Sequence, residues 1–449
     1  MPIYRDRGSV AAKRTRRLSV ATISLLTAVT LSLTACTDGP FVAGDDAANT
    51  VTADLASNID TAVANAMQLS GSTAAIVGVW TSSGEYVTAY GEDVTAGSPI
   101  RAAQASQPVM CALLLDLVTD GTLKLDRKVS ADLPRQVGLE DITYRQLCEA
   151  TSGLADFKSA NLRDVFINNP TRPWSDRELL AQSLAHSPLA EPGAAQQVAD
   201  TNALVLARAL KQVTGESMSN LLERHVFTPA AMRASSYPTD VLTQVELPEN
   251  GMTGLTYVSS GGAPVCTVPG EEEGTTVPAE PVAVTQVSPS ILGGAGATVT
   301  TVSDLKRFYE SYLSGAFGNE EATELVTTLS VPPPPEPEEG AEPAEAPAEE
   351  VEPVTDGWTF GLEKQSSLYG MSGAITGTLT ASYHDPASGL TVVIALNNSS
   401  AGSAFVRALA FELAALAQAD LSWTAEDQAA RLSELAVCQP APEAAEATE

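Results

Sequence analysis

The chain has 449 residues, with 55 acidic and 25 basic side chains and a formal net charge of −30. This charge repels nucleic acid and anionic lipid headgroups, so neither is expected to be a partner through charge attraction. Hydrophobic residues make up 44 % of the chain and charged residues 18 %, the composition of a globular protein. The length allows one large domain or two ordinary ones.

The N-terminus has the pattern of an export signal. The basic stretch at residues 13–17 (KRTRR) precedes an uncharged apolar run over residues 18–35. The run ends in Leu-Thr-Ala before Cys36, which resembles the lipobox of bacterial lipoproteins. The resemblance implies removal of residues 1–35, a lipid on Cys36 and attachment to the outer face of the bacterial cell membrane. An ordinary transmembrane anchor is the alternative, because about 18 apolar residues nearly span a bilayer.

The rest of the chain is predicted to form one domain over residues 51–437, after a tether at 36–50 and before an acidic tail at 438–449. Two segments are predicted to be surface insertions, at about 260–288 and 331–353. The second consists almost wholly of Pro, Glu and Ala, and cannot bury enough apolar surface to fold. Because strand-like segments resume after both insertions, we do not interpret them as domain boundaries.

Helical periodicity begins near Val51, and two β-rich runs over 74–80 and 86–90 predict a hairpin. An apolar helix is predicted over 108–120, and helices are expected to fill most of 126–236. Strands are predicted over 358–362, 377–383 and 390–397, and a final helix over 403–419. Two β-rich ends that enclose a helical middle predict an α/β (α+β) fold, with an antiparallel sheet built from both chain ends, flanking helices and an inserted helical subdomain.

Besides Cys36, the chain has four cysteines: Cys111, Cys148, Cys266 and Cys438. Outside the cytoplasm an even set is expected to be paired, and four cysteines allow three pairings. The first two fall on predicted core helices and the last two in loop-like or terminal stretches. We therefore predict the disulfides Cys111–Cys148 and Cys266–Cys438. No metal site or cofactor is predicted, because there is no CxxC spacing and the three histidines are far apart in sequence.

Five segments, taken in order, resemble one family of proteins. They are LVTDGTLKLD at 117–126, ITYRQLCEATSGL at 142–154, the stretch 202–232 with VTGES and VFTP, the stretch from GG at 293 to LKRF at 305–308, and YHDPASGLTVV at 383–393. Together they resemble the serine β-lactamase and penicillin-binding protein family, especially its class C and D-alanyl-D-alanine carboxypeptidase-like branch. The resemblance covers about residues 51 to 418 and implies a β-lactamase/transpeptidase-like fold.

The family's reaction is acyl transfer through a serine ester, and its motifs are Ser-x-x-Lys, Tyr-x-Asn and Lys/His-x-Gly. The matching positions in this chain are Gln104 and Gln107, Val198 and Asp200, and Met371 and Gly373. A carboxamide neither attacks a carbonyl nor accepts a proton near neutral pH, and valine and methionine transfer no proton. Loss of the nucleophile or its base costs about a million-fold in turnover in another serine hydrolase, so we predict an inactive relative.

The polar residues at these positions are predicted to keep a binding role: Gln104, Gln107, Asp200 and Ser372. The expected ligand is a peptidoglycan-derived peptide or an envelope protein, and the alternative is that these buried polar groups only satisfy one another. Two other readings of the chain remain open. It could be a residual hydrolase with an atypical nucleophile, for which Ser106 and Ser303 are the candidates, or a scaffolding lipoprotein with a filled cleft.

Overall fold

The computed structural model describes residues 47–238, 245–272, 274–332, 355–418 and 420–438. The proposed signal, Cys36, most of the tether, most of the second insertion and the acidic tail after Cys438 lie outside the described residues. Within the described ranges, no helix is both long enough and apolar enough to cross a membrane.

Helices form the middle of the chain and flank a sheet. They are α1 (Ala53–Ser70), α2 (Pro108–Thr119), α3 (Tyr144–Cys148), α4 (Ala160–Asn168), α5 (Asp176–Leu184), α6 (Asp200–Thr214), α7 (Met218–Leu222), α8 (Val302–Leu313), α9 (Glu320–Thr327), α10 (Ser403–Ala417) and α11 (Ala425–Glu434). Short 3₁₀ helices add single turns, and the one at Ala103–Ser106 leads directly into α2.

The described residues form one eight-stranded antiparallel sheet, in the order β1-β3-β2-β16-β15-β14-β13-β12. Its strands are β1 (Ala48–Asn49), β2 (Ala75–Thr81), β3 (Gly84–Tyr90), β12 (Gly357–Trp358), β13 (Glu363–Gln365), β14 (Leu368–Ile375), β15 (Thr378–His384) and β16 (Thr391–Leu396). The first three come from the N-terminal part of the domain and the others from its C-terminal part. The predicted sheet from both chain ends is therefore confirmed.

Shorter strands pair outside this sheet. They are β4 (Ile100–Arg101), β5 (Gly254–Thr256), β6 (Ser259–Ser260), β7 (Ala263–Pro264), β8 (Thr267–Pro269), β9 (Thr276–Pro278), β10 (Val282–Val284) and β11 (Val299–Thr300). Most of them lie in the first insertion, which forms small two-stranded ribbons. Residues 48–49, which the sequence assigns to the tether, pair with β3, so the folded region begins before Val51.

Strand alternation divides the hydrophobic core into two layers, because successive side chains point to opposite faces of a sheet. Val77 and Val79 of β2 pack on the face covered by α1 and α10. Ile76 and Trp80 of the same strand pack on the other face, against α2 and α8. The sheet thus lies between two helical layers, and the inserted helices α3–α7 extend the second layer.

Both predicted disulfides are formed. Cys111 of α2 is bonded to Cys148 at the end of α3, and Cys266 of the first insertion is bonded to Cys438 after α11. The first bond joins α2, which follows the 3₁₀ turn that contains Gln104, to the inserted helical region. The second ties the insertion to the C-terminal end of the described chain.

One local expectation was wrong. The strand expected over 358–362 is interrupted, because Gly361 has φ +83° and donates its N–H to the Cys148 carbonyl at 2.8 Å, which makes the chain turn between β12 and β13. Strand β14, which carries Met371, is not the edge of the sheet, because β13 and β12 continue beyond it. Ser303 does not cap α8, since Thr301 is the N-cap and accepts from the Asp304 N–H.

The buried Glu412 of α10 makes stability depend on pH. Its side chain is 7 % exposed, and its Oε2 has no hydrogen-bond partner among the described residues. Burial raises the pKa of Glu412 to about 7. A raised pKa contributes stability that is present below the ordinary value of 4.5 and is lost as the pH rises through about 7.

We therefore expect the wild type to lose about 1–3 kcal/mol of unfolding free energy relative to Glu412→Gln between pH 5 and pH 8. Urea denaturation at several pH values measures this difference. Glu92→Gln, at an exposed position, is the matched control and should follow the wild type. Parallel pH profiles for Glu412→Gln and the wild type would contradict the expectation.

Candidate ligand-binding cleft

A cavity of about 530 Å³ lies between strand β14 of the sheet and the inserted helical region. The motif positions singled out from the sequence come together in its wall: Gln104, Gln107, Val198, Asp200, Met371 and Ser372. The seventh position, Gly373, is not part of the lining but lies directly behind Gln104. Motif positions that are up to 269 residues apart in the chain thus lie together in the fold.

Gln104 connects the two sides of the cleft. Its Oε1 accepts the backbone N–H of Ala374 on β14 at 2.9 Å, and its Nε2 donates to Oδ2 of Asp200 at 2.7 Å. The side chain is only 6 % exposed, so both ends of a buried carboxamide are satisfied. The preceding residue, Ala103, has φ +47°, a costly conformation for a residue with a Cβ and one often found at functional sites.

Gly373 allows this close approach of the sheet to residue 104. A Cβ built at position 373 would lie 2.3 Å from the backbone N of Gln104 and 2.5 Å from its Oε1. Real Cβ atoms do not come this close to other heavy atoms, so any larger residue would push β14 away from the 3₁₀ turn. The glycine of the third motif position therefore has a steric role in this chain.

The side chain of Asp200 anchors a buried ionic cluster. Nζ of Lys158 lies 2.7 Å from Oδ2 of Asp200 and 3.9 Å from Oδ2 of Asp156. Asp200 is the first residue of α6, where the helix dipole favours a negative charge. Burial, and then the charge of Asp200, raise the pKa of Asp156. Burial lowers the pKa of Lys158, but the two carboxylates raise it more, so that it remains a charged ammonium.

Two polar groups in the cavity wall have no partner within the described part of the chain. Oε1 of Gln107 is buried without a hydrogen bond, and the residue is 7 % exposed. Arg163 of α4 also lines the cavity, is exposed, and has no carboxylate within ion-pair distance among the described residues. The cleft therefore offers one free acceptor and one free cation to a bound molecule.

The remaining motif positions give the cleft an apolar rim. Val198 is 56 % exposed at the mouth, whereas Met371 is 6 % exposed and belongs to the core beneath the cavity. Ser372 lies between Met371 and Gly373 on β14, so strand alternation turns it to the opposite face of the sheet from Met371. The Tyr383 side chain lies on that face, and residue 372 also contributes to the lining of the cavity.

The first insertion forms part of the cavity wall. Ser259, Gly262 and Pro264 line the cleft. Asp164 of α4 holds this segment in place, since its Oδ1 accepts from the Ser259 hydroxyl at 2.5 Å and from the Gly262 N–H at 2.9 Å. This segment, expected to be a surface insertion, is therefore also a structural part of the site.

The two candidate atypical nucleophiles do not lie in the cleft. Ser106 is 1 % exposed, and its hydroxyl donates to the Ala103 carbonyl at 2.9 Å. Ser303 is not part of the cavity lining, and the lysine three positions on, Lys306, is held by Glu310 at 2.7 Å. In addition, the described residues include no group of three or more His, Cys, Asp or Glu side chains arranged to hold a metal ion.

Among the residues of this site that the sequence analysis missed, Lys158 and Asp156 bear directly on the predicted position Asp200. They lie in the loop directly after the TSGL segment, whereas their partner Asp200 is 42 positions further on. A lysine two residues after an aspartate is common in loops, so nothing local distinguishes this pair. The sequence signal for these two residues is their position just after the TSGL end of the family-like segment at 142–154.

The ionic cluster makes a prediction for stability. Lys158 is 24 % and Asp200 6 % exposed, so Lys158→Met leaves a buried carboxylate without its cation and should lower the unfolding free energy by about 2–4 kcal/mol. The double variant with Asp200→Asn should lose less than the sum of the two single variants, by about 1–3 kcal/mol. Chemical denaturation measures the cycle, and Arg431→Gln, in an exposed ion pair, is the control. Additive losses would show that the pair is not coupled.

Comparison with known proteins supports the fold. A D-stereospecific amidohydrolase from a Streptomyces species superposes with a TM-score of 0.60 at 22 % identity, over 75 % of this chain and 94 % of that one. A penicillin-binding protein homologue from Pyrococcus abyssi, an octamer, superposes with a TM-score of 0.59 at 16 % identity, over 80 % of this chain and 77 % of that one. At these identities the likeness establishes the fold alone.

A D-aminopeptidase from Cereibacter sphaeroides is 28 % identical over 150 residues, which cover 32 % of this chain and 27 % of the relative. The chain thus spans about a quarter of the length of the curated relatives that it matches. The family model described as Beta-lactamase matches residues 59–417, from helix α1 to the end of α10. This chain therefore belongs to the beta-lactamase family of serine hydrolases.

Proposed function

We propose that this protein is a non-catalytic member of the family that binds a peptide in the cleft. The observation that carries the proposal is the hydrogen bond from the Ala374 N–H to Oε1 of Gln104. This hydrogen bond supports both the lack of catalysis and the binding of a peptide. It occupies an N–H donor that acyl transfer requires, and it holds the two walls of the cleft together.

Acyl transfer needs two N–H donors aimed at the oxygen of the acyl group, and one of them usually belongs to the nucleophile's own backbone. In this fold, the donors beside position 104 are its own N–H and that of Ala374 on the adjoining strand. The carboxamide oxygen of Gln104 already occupies the second donor at 2.9 Å. A substrate carbonyl would have to displace a satisfied, buried side chain in order to be polarised there.

A general base is also lacking at residue 104. Lys158 is the lysine that lines the cavity, but its ammonium is bonded to Asp200 and its pKa is raised, so it does not accept a proton near neutral pH. Nε2 of Gln104 donates to the same carboxylate, so Asp200 is engaged on two sides. The cluster accordingly acts as structure and electrostatic lining.

The free groups of the cleft suit a peptide. Oε1 of Gln107 can accept a backbone N–H, and the Arg163 guanidinium can bind a terminal carboxylate through two parallel hydrogen bonds. Phe166 and Ile291 add apolar surface to the same cavity. The names of the related D-aminopeptidase and penicillin-binding protein homologue favour a ligand of this class, and a peptidoglycan stem peptide is our first candidate.

We further propose that the protein is exported and held at the outer face of the bacterial membrane by a lipid on Cys36. The support is the basic and apolar pattern of residues 13–35 and the cysteine that ends it. The two disulfides of the folded domain agree with an oxidising compartment. Metabolic labelling with an alkyne fatty acid tests the anchor, and Cys36→Ala should abolish the label.

Absence of acylation is the first functional test. Purified protein incubated with a fluorescent penicillin and with a fluorophosphonate probe should show no stoichiometric adduct by intact mass. Gln104→Ser with Gln107→Lys should restore little activity, because Val198 and Met371 still transfer no proton. An adduct on the wild type, or β-lactam turnover by the double variant, would support the residual hydrolase instead.

Peptide binding is the second test. Isothermal titration with a peptidoglycan stem peptide should give saturable binding, and Gln107→Ala and Arg163→Gln should each weaken it by roughly tenfold, the effect of one lost hydrogen bond to a charged or buried group. Arg431→Gln on α11 is the control for general loss of positive charge. Lack of saturable binding, or equal affinity in all variants, would exclude this cleft as the peptide site.

A further inference from the structure

A second concave surface lies in the inserted helical region, away from the cleft. Two adjoining compartments, of about 700 and 370 Å³, form one groove between the loop at 132–136, the start of α5 and the second half of α6. The residues that both compartments share are Leu133, Arg177, Arg208 and Gln212. None of them lines the cleft described above. We refer to these two compartments as the arginine groove.

The arginine groove has an excess of positive charge. Two carboxylates line it, and each is already neutralised: Asp132 binds Arg127 at 2.5 Å, and Asp176 binds Lys211 at 3.4 Å. Asp132 also accepts the Tyr144 hydroxyl at 2.9 Å.

The three remaining cations of the groove have no carboxylate partner within ion-pair distance in the described ranges: Arg135, Arg177 and Arg208. Burial lowers the pKa of Arg208, and repulsion from Arg177 lowers it further against the attraction of Asp176. The one hydrogen bond of the Arg208 guanidinium in the described structure is to the amide oxygen of Gln136, at 3.3 Å. An arrangement in which guanidinium groups repel one another is stabilised by an anion that lies between them.

The groove continues into a third, smaller compartment of about 190 Å³. It shares Ser175, Asp176 and Lys211 with the second compartment and is lined by Trp174. Trp174 is 4 % exposed, and its indole Nε1 is buried with no acceptor among the described residues. A buried donor without an acceptor costs about 1–3 kcal/mol.

We infer that the arginine groove binds an extended ligand that carries two or more phosphate groups. A carboxylate has two oxygens, which a single guanidinium fork occupies. A phosphate has further acceptor oxygens and up to two negative charges, so that one group can join two guanidinium groups such as Arg177 and Arg208. Three unpaired arginines that line the joined compartments favour more than one such group.

The net charge of −30 opposes the long-range attraction of an anionic ligand, but it does not prevent binding at physiological salt. Charges further away than the Debye length, about 8 Å, are largely screened. Binding is then decided by the groups that line the groove, which carry a local surplus of positive charge. The same screening makes the affinity sensitive to salt, because each contact is an exposed or half-buried ion pair.

The test uses two phosphate sources: inorganic tripolyphosphate and an oligomer of glycerol phosphate. We expect saturable binding to at least one of them by calorimetry, weaker at higher salt. The variant Arg177→Gln with Arg208→Gln should weaken binding by roughly tenfold or more, since each loses a charge-assisted hydrogen bond. Preference for the oligomer assigns the site to a phosphodiester polymer, and preference for tripolyphosphate to a free polyphosphate.

Two controls keep the result interpretable. Arg177→Gln alone changes an exposed side chain and so tests the groove even if the double variant is unstable. Arg431→Gln removes a positive charge elsewhere and should bind like the wild type. Tryptophan fluorescence should change on binding, and Trp174→Phe should remove that part of the change. Lack of binding to either probe, or equal affinity of Arg177→Gln and wild type, overturns the inference and leaves the peptide cleft untouched.

Discussion

The carboxamide of Gln104 is the contact on which the site depends. One end accepts a backbone N–H from the central sheet, and the other donates to the first residue of α6. A buried amide must satisfy both ends, so this side chain fixes the distance between the sheet and the inserted helices. The ion pair of Asp200 with Lys158 then ties the loop after the TSGL segment to the same point.

Under the proposed function, in which residue 104 is the family's nucleophile position, this contact explains how that position can change without loss of the fold. A serine hydroxyl at residue 104 would be too short to reach Ala374 and Asp200 as the carboxamide does. The glutamine forms hydrogen bonds with both. The glutamine therefore makes a structural contact, in a place where Gly373 already brings the strand against the backbone. Beside this satisfied contact, the buried Oε1 of Gln107 and the exposed guanidinium of Arg163 are left without partners among the described residues.

Sequence patterns could predict much of this fold, because most of its signals are local. The hairpin of β2 and β3, the apolar helix α2 and both disulfide pairs follow from alternation, capping and the placement of cysteines. The break near Gly361 could not be predicted, since it depends on a hydrogen bond to Cys148 more than 200 residues earlier. For the site, the family register located Gln104 and Asp200, but it could not show that they bind each other. Lys158 escaped notice for the same reason, because its partner is close only in the folded chain.

Helix α6 relates the peptide cleft to the arginine groove. Asp200, its first residue, lines the cleft, and Arg208, eight positions later, lines the groove. At 1.5 Å per residue the two sites are about 12 Å apart along the helix axis. Coupling between them would require an element with two arrangements that both ligands influence. Leu204, Leu206 and Leu210 of α6 are fully or almost fully buried in the core, which favours one fixed position for the helix. The geometry therefore favours independent binding at the two proposed sites, which share a rigid support.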